Sequence, residues 1–106
     1  MIIRSAVLEG TVADAARTQF DLHMMTNVRA AIARYPGIIS VTIRRPAETE
    51  PGVPPIYMIF DLRFDSLNAM HAALASEIRQ QVRAEIARAM GDFQGRVYHL
   101  ILEEIA

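Results

Sequence analysis

The spacing of apolar residues switches between two periods along this chain, and that alternation restricts the available folds more than any other feature. Ile2 to Leu8, Ile38 to Ile43, Ile56 to Phe64 and Arg96 to Glu103 are short runs rich in aliphatic and β-branched residues, and they read as strands. Between the first two, Ala16, Phe20, Met24, Val28, Ala31 and Tyr35 recur at helical spacing. Thr11 or Asp14 is placed to cap that helix, and Pro36-Gly37 stops it. Between the last two, Ser66 reads as the N-cap of Leu67 to Leu74. Ser76 reads as a second cap, before a stripe of Ile78, Val82, Ile86, Met90 and Phe93. The predicted order is βαββαβ, without repeat or linker, in a single domain over residues 1–106. Two split βαβ units in a four-stranded antiparallel sheet, with helices on one face, give an α+β ferredoxin-like fold.

Arg45 to Pro55 is the one clear loop, with four of the five prolines. Its length points to a mobile or functional connection. The chain has 106 residues, 52% of them hydrophobic, which is more apolar surface than one small core hides easily, and this points to self-association. A formal charge of −1 argues against nucleic acid as a partner. All the basic residues are arginine, as coding bias alone would produce. The absence of cysteine excludes disulfides, thiolate metal sites and cysteine nucleophiles. No apolar run reaches the roughly 18 residues of a membrane span, and Met1 leads directly into a strand, so the expected compartment is the cytoplasm.

Strand alternation predicts which side chains share a sheet face. Met58, Phe60, Leu62 and Phe64 fall together on an apolar face that should receive the helices, with Ile39, Val41 and Ile43 from the second strand. The opposite face is expected to be mixed, with Tyr57, Asp61, Arg63, Arg44 and His99 among aliphatics. Such a face suits contact with a second copy across a two-fold axis.

His99, flanked by aliphatics, is the candidate catalytic acid or base; a hydrogen-bonded structural histidine is the alternative. His23 and Asn27 lie beside the apolar stripe of the first helix, where they would line a cleft or form an exposed rim. Asp61 beside Arg63 and Arg44 reads as a general base or one end of an ion pair. His71 points away from Leu67 and Leu74 and reads as surface. The histidines lack metal-ligand spacing, and there is no phosphate loop, nucleophile elbow or dinucleotide fingerprint; neither metal nor cofactor is expected.

Several segments, taken in order, resemble the EthD-like family of the dimeric α/β-barrel superfamily. They are Pro36-Gly37-Ile38, Arg44-Arg45-Pro46, Pro54-Pro55-Ile56-Tyr57, Phe64 to Met70, Ala73 to Ser76 and Phe93 to His99. The resemblance implies a homodimer whose sheets face each other, with a small-molecule cleft between sheet and helices in each copy. The family is associated with ethyl tert-butyl ether degradation, and its superfamily includes cofactor-free monooxygenases, lactone isomerases and haem-binding members. A histidine of the last strand recurs in the family, and here it is His99. On this basis His99 would be the acid or base, and Tyr57 and Arg44 would orient oxygen atoms of an apolar ether or carbonyl compound. His23, Asn27 and Asp61 would complete the site, and His23 or His99 would ligate haem in a haem-binding variant. The competing expectation is a non-catalytic binding module whose polar residues serve only the interface.

Overall fold

The computed structural model describes all residues 1–106. Strand β1 spans Ile2–Val12, β2 Ile38–Arg44, β3 Ile56–Phe64 and β4 Phe93–Glu103. They form one antiparallel sheet in the order β2-β3-β1-β4, the ferredoxin-like arrangement expected from the element order. The first helix begins as α1, Asp14–His23, widens into a π turn at Met24–Val28 and ends as α2, Arg29–Ile32. Two further helices follow β3: α3, Leu67–Leu74, and α4, Ile78–Met90. No helix is long and apolar enough to cross a membrane.

The π turn has a cause in the sequence. Apolar residues at Ala16, Phe20, Met24 and Val28 are spaced by four, and in an α-helix each such step drifts by about 40° around the axis. A wider turn takes up this drift, and Phe20, Met24, Val28, Ala31 and Tyr35 all stay buried. Local capping differs from expectation. Strand β1 continues to Val12, so Thr11 belongs to the strand, and Ala13 precedes the helix without a side-chain cap. Ser66 does cap α3, accepting from the Ala69 N–H. Ser76 closes α3 instead of opening α4, its hydroxyl donating to the Ala73 carbonyl at 2.6 Å.

Two bulges change the predicted faces. Leu8 pairs with Met58 and Glu9 with Ile56, which leaves Tyr57 as an extra residue in β3. The bulge re-aims Tyr57 toward the helices, where its ring meets Phe20 edge-on with centroids 5.4 Å apart. In β2 the same irregularity falls at Ile39, which is 49% exposed while Ile38 packs on the core.

Gly10 and Gly95 face each other across β1 and β4 with φ of 157° and 151°. The backbones come so close there that a Cβ on Gly95 would lie 2.0 Å from the Glu9 carbonyl oxygen. The core lies between the helices and the β2, β3 and β1 part of the sheet, centred on Phe20, Met24, Met58, Phe64 and Met70. Strand β4 is left largely uncovered: of its eleven residues only Phe93 is buried.

Candidate functional site

The uncovered strand leaves an apolar cavity open along one side. A space of about 240 Å³ lies between β1, β3 and β4 on one side and the π turn, α2 and α4 on the other. Twelve of its sixteen lining residues are hydrophobic, among them Met24, Val28, Phe60, Leu62, Val82 and Ile86, so a ligand's body would be held by apolar contact. Ala6 contributes to the space because a short side chain stands in the central strand where its neighbours in β3 are phenylalanine and leucine.

His99 pairs with Ala6 across the β1–β4 ladder and lines this cavity at its exposed side. Its place is therefore the helix face, not the outer face expected from the strand pattern. The correction follows from register: Ala6 also pairs with Phe60, so His99, Ala6 and Phe60 share one face. Burial lowers the His99 pKa, and the nearby guanidinium groups of Arg4 and Arg79 lower it further. Both effects favour the neutral imidazole over the imidazolium.

Four further polar-headed residues line the cavity with His99: Tyr35, expected only as part of the apolar stripe of the first helix, and Arg4, Arg79 and Arg83, which were not among the expected site residues. Arg79 donates to the Tyr35 hydroxyl at 3.3 Å. Burial and the charge of Arg79 lower the Arg4 pKa, though a guanidinium stays protonated. A signal for Arg4 was present, because it alternates with Ala6 and Leu8 and so places a charge on the apolar face of β1. Arg79 and Arg83 each follow or precede a residue of the α4 stripe, four apart, with nothing in the sequence to mark them from the other surface arginines.

The other expected site residues lie elsewhere. His23 is half-buried on α1 and turned against α4, its Nε2 donating to the Glu85 carbonyl at 2.7 Å and lying 3.4 Å from the Glu85 carboxylate. It is a tie between helices that does not line the cavity. Asn27 falls within the π turn, which carries it outward; it is exposed and accepts from Thr26 at 3.2 Å. Tyr57 donates to Asp21 at 2.5 Å, with Arg45 bound to the same carboxylate at 2.9 Å, so its hydroxyl is committed to the junction of α1 and the proline-rich loop. Burial raises the Tyr57 pKa, and the hydrogen bond to Asp21 adds to the rise.

Asp61 and Arg44 are on the outer face as expected. Asp61 is 9% exposed, accepts from the Ser5 hydroxyl at 2.5 Å and pairs with Arg44. Arg63 pairs with Glu104 instead. Thus the structure separates three groups that the sequence reading had placed together: His99 on the cavity, the Asp61 cluster on the outer face, and Tyr57 beside α1. His71 is exposed on α3. No three His, Asp or Glu side chains converge in a geometry suited to a metal ion.

No protein-family model matches the chain, and no curated protein matches it in sequence. Solved structures share its fold over nearly its full length. An ethyl tert-butyl ether (EthD) family protein from Bacillus halodurans superposes with a TM-score of 0.74 over 99% of this chain and 100% of that one, at 18% identity. A protein from Arabidopsis thaliana gives 0.77 over 100% and 97%, at 9% identity. SnoaB, a cofactor-independent oxygenase from Streptomyces nogalater, gives 0.66 over 99% and 93%, at 15% identity. These likenesses establish the α+β ferredoxin-like fold that the EthD family protein and the oxygenase share.

Proposed function

We propose that this chain, built on the EthD-like fold, binds a small, mostly apolar molecule between helices and sheet, and that His99 takes a proton from it. The observation that carries the reading is a histidine at the open side of an apolar cavity of about 240 Å³, and burial beside Arg4 and Arg79 favours its neutral form. In the proposed step a C–H or O–H bond of the ligand breaks, its electron pair stays on the ligand, and His99 becomes imidazolium. A carbonyl beside that C–H would take up the charge as an enolate. The cofactor-independent oxygenase of the same fold offers a parallel for work of this kind. The competing module reading requires protein partners for both Asp61 and His99. Asp61 has them, whereas His99 faces the cavity without one.

A suitable probe is 2-tetralone, a bicyclic ketone with acidic α C–H bonds. The wild-type protein should accelerate its hydrogen–deuterium exchange in D2O, followed by NMR, and His99→Ala should lose about 100-fold or more of that acceleration while still binding. Equal exchange by the variant would remove His99 from the mechanism. Filling the cavity with Ala6→Phe should abolish binding.

We also propose that two copies pair through the outer sheet face. Leu100 and Leu102 are 45% and 43% exposed there, beside Ile3 and Val7, and Ser5, Asp61 and Arg44 supply polar groups at its centre. Sedimentation velocity should give twice the 11.8 kDa of one chain. Leu100→Asp combined with Leu102→Asp should reduce it to a monomer, and a wild-type monomer at high micromolar concentration would refute the pairing.

A further inference from the structure

The arginines of this chain are unevenly satisfied. Six of the eleven pair with a carboxylate: Arg17, Arg44, Arg45, Arg63, Arg88 and Arg96. Arg34 donates to Gln81. Of the four that remain, Arg4, Arg79 and Arg83 all line the cavity of His99, and only Arg29 does not. Arg4 and Arg83 make no side-chain hydrogen bond within the protein, and Arg79 makes only the one to the Tyr35 hydroxyl. No aspartate or glutamate lines the same space.

The concentration is costly. Arg4 and Arg79 are both half-buried and close enough to oppose each other's charge. Arg79 also stands in the first turn of α4, the end of a helix that favours anions over cations. Cations withdrawn from water are ordinarily paired, and here the partner is missing from a chain whose net charge is −1 and which has twelve acidic residues to supply one.

We infer that the cavity receives an apolar carboxylic acid, its hydrocarbon body against the Met24, Val28 and Ile86 side and its carboxylate on Arg4 and Arg79, with Arg83 at the rim. A guanidinium presents two parallel N–H donors to a carboxylate, and Tyr35 already orients Arg79. This deepens the proposal of a small-molecule cavity and rests on it. His99 then stands beside the bound head group, on the same cavity wall as Arg4 and Arg79.

Matched pairs differing only in charge separate this inference from the proposal beneath it. Isothermal titration would compare 2-naphthoate with 2-naphthamide and octanoate with octanamide. Each carboxylate should bind at least about tenfold more tightly than its amide, as charge-assisted hydrogen bonds require. Arg79→Gln and Arg4→Gln should each reduce that preference by about tenfold and leave amide affinity within about twofold. Arg83→Gln, at an exposed position on α4, tests the same charge without a burden on folding and should reduce the preference about threefold. Arg34→Gln, outside the cavity, should change nothing. If amides bind as well as acids, the carboxylate inference is overturned and the apolar cavity stands. If neither member of either pair binds at millimolar concentration, both readings fall.

Discussion

Replacing Gly95 by alanine should destabilise the protein severely, because two backbones meet there with no room for a side chain. The new Cβ would lie 2.0 Å from the Glu9 carbonyl oxygen and 2.7 Å from the Gly10 Cα. Both neighbours are backbone atoms of the central strand, so relief requires β4 to move away from β1 by about 1 Å. The φ of 151° adds strain of roughly 1–3 kcal/mol for an L residue, and the overpacking adds about 1–3 kcal/mol more. A sum near 4 kcal/mol is a large fraction of the 5–15 kcal/mol typical of a domain this size, and corresponds to a fall in Tm of about 15 °C or more. Thermal unfolding followed by far-UV circular dichroism measures it. The control is Gly91→Ala, where a Cβ meets nothing within 4 Å and φ is −60°; it should match or slightly exceed the wild type. A Gly95→Ala protein that melts within 3 °C of the wild type would refute the argument, as would an equal loss at Gly91.

The lowered His99 pKa makes stability depend on pH. The unfolded state, with an ordinary histidine near pKa 6.5, binds the proton more readily, so the neutral form favours folding above about pH 6.5 and this contribution is lost as pH falls below it toward the folded pKa. Between pH 7 and 5 the wild-type Tm should therefore fall further than that of His99→Gln; parallel curves would contradict the assignment. Phe20 is 1% exposed, edge-on to Tyr57 and stacked on Phe93 at 6.2 Å, and Phe20→Ala should cost about 3–5 kcal/mol in urea unfolding. Asp61→Ala should cost about 2 kcal/mol and Ser5→Ala about 1 kcal/mol, with the double variant close to Asp61→Ala alone. Strict additivity would mean that the two side chains do not depend on each other.

The element order was legible in the sequence because each segment's apolar period agrees with its structure. Strand β3, helix α3 and the loop from Arg45 to Pro55 fall where proline, serine and alternation place them. The faces were less legible, for a physical reason: alternation holds only until a bulge, and the extra residues at Tyr57 and Ile39 leave no mark in composition. His99 was recognisable as a residue of interest from its aliphatic setting, but its face depended on pairing with Ala6, which residue type does not encode. His23 and Asn27 stood out as polar residues near an apolar stripe. One is tied to Glu85 and the other is turned out by the π turn, so neither reaches the cavity. The arginines around His99 escaped notice because their significance is collective: each looks ordinary until the carboxylates of the other six are assigned.

The π turn has a consequence for chain length. A π turn holds about one residue more than the α turn it replaces. The helix therefore carries one surplus residue at Met24–Val28, absorbed without disturbing the core on either side. Removing exposed Met25 should let the helix close into an unbroken α-helix with Phe20, Met24, Val28 and Tyr35 still inward, and a Tm within a few degrees of the parent; loss of folding would show that the wide turn is itself required. Chains sharing this core can then differ by one residue here, and an alignment that forbids a gap at this turn would misplace everything on one side of it.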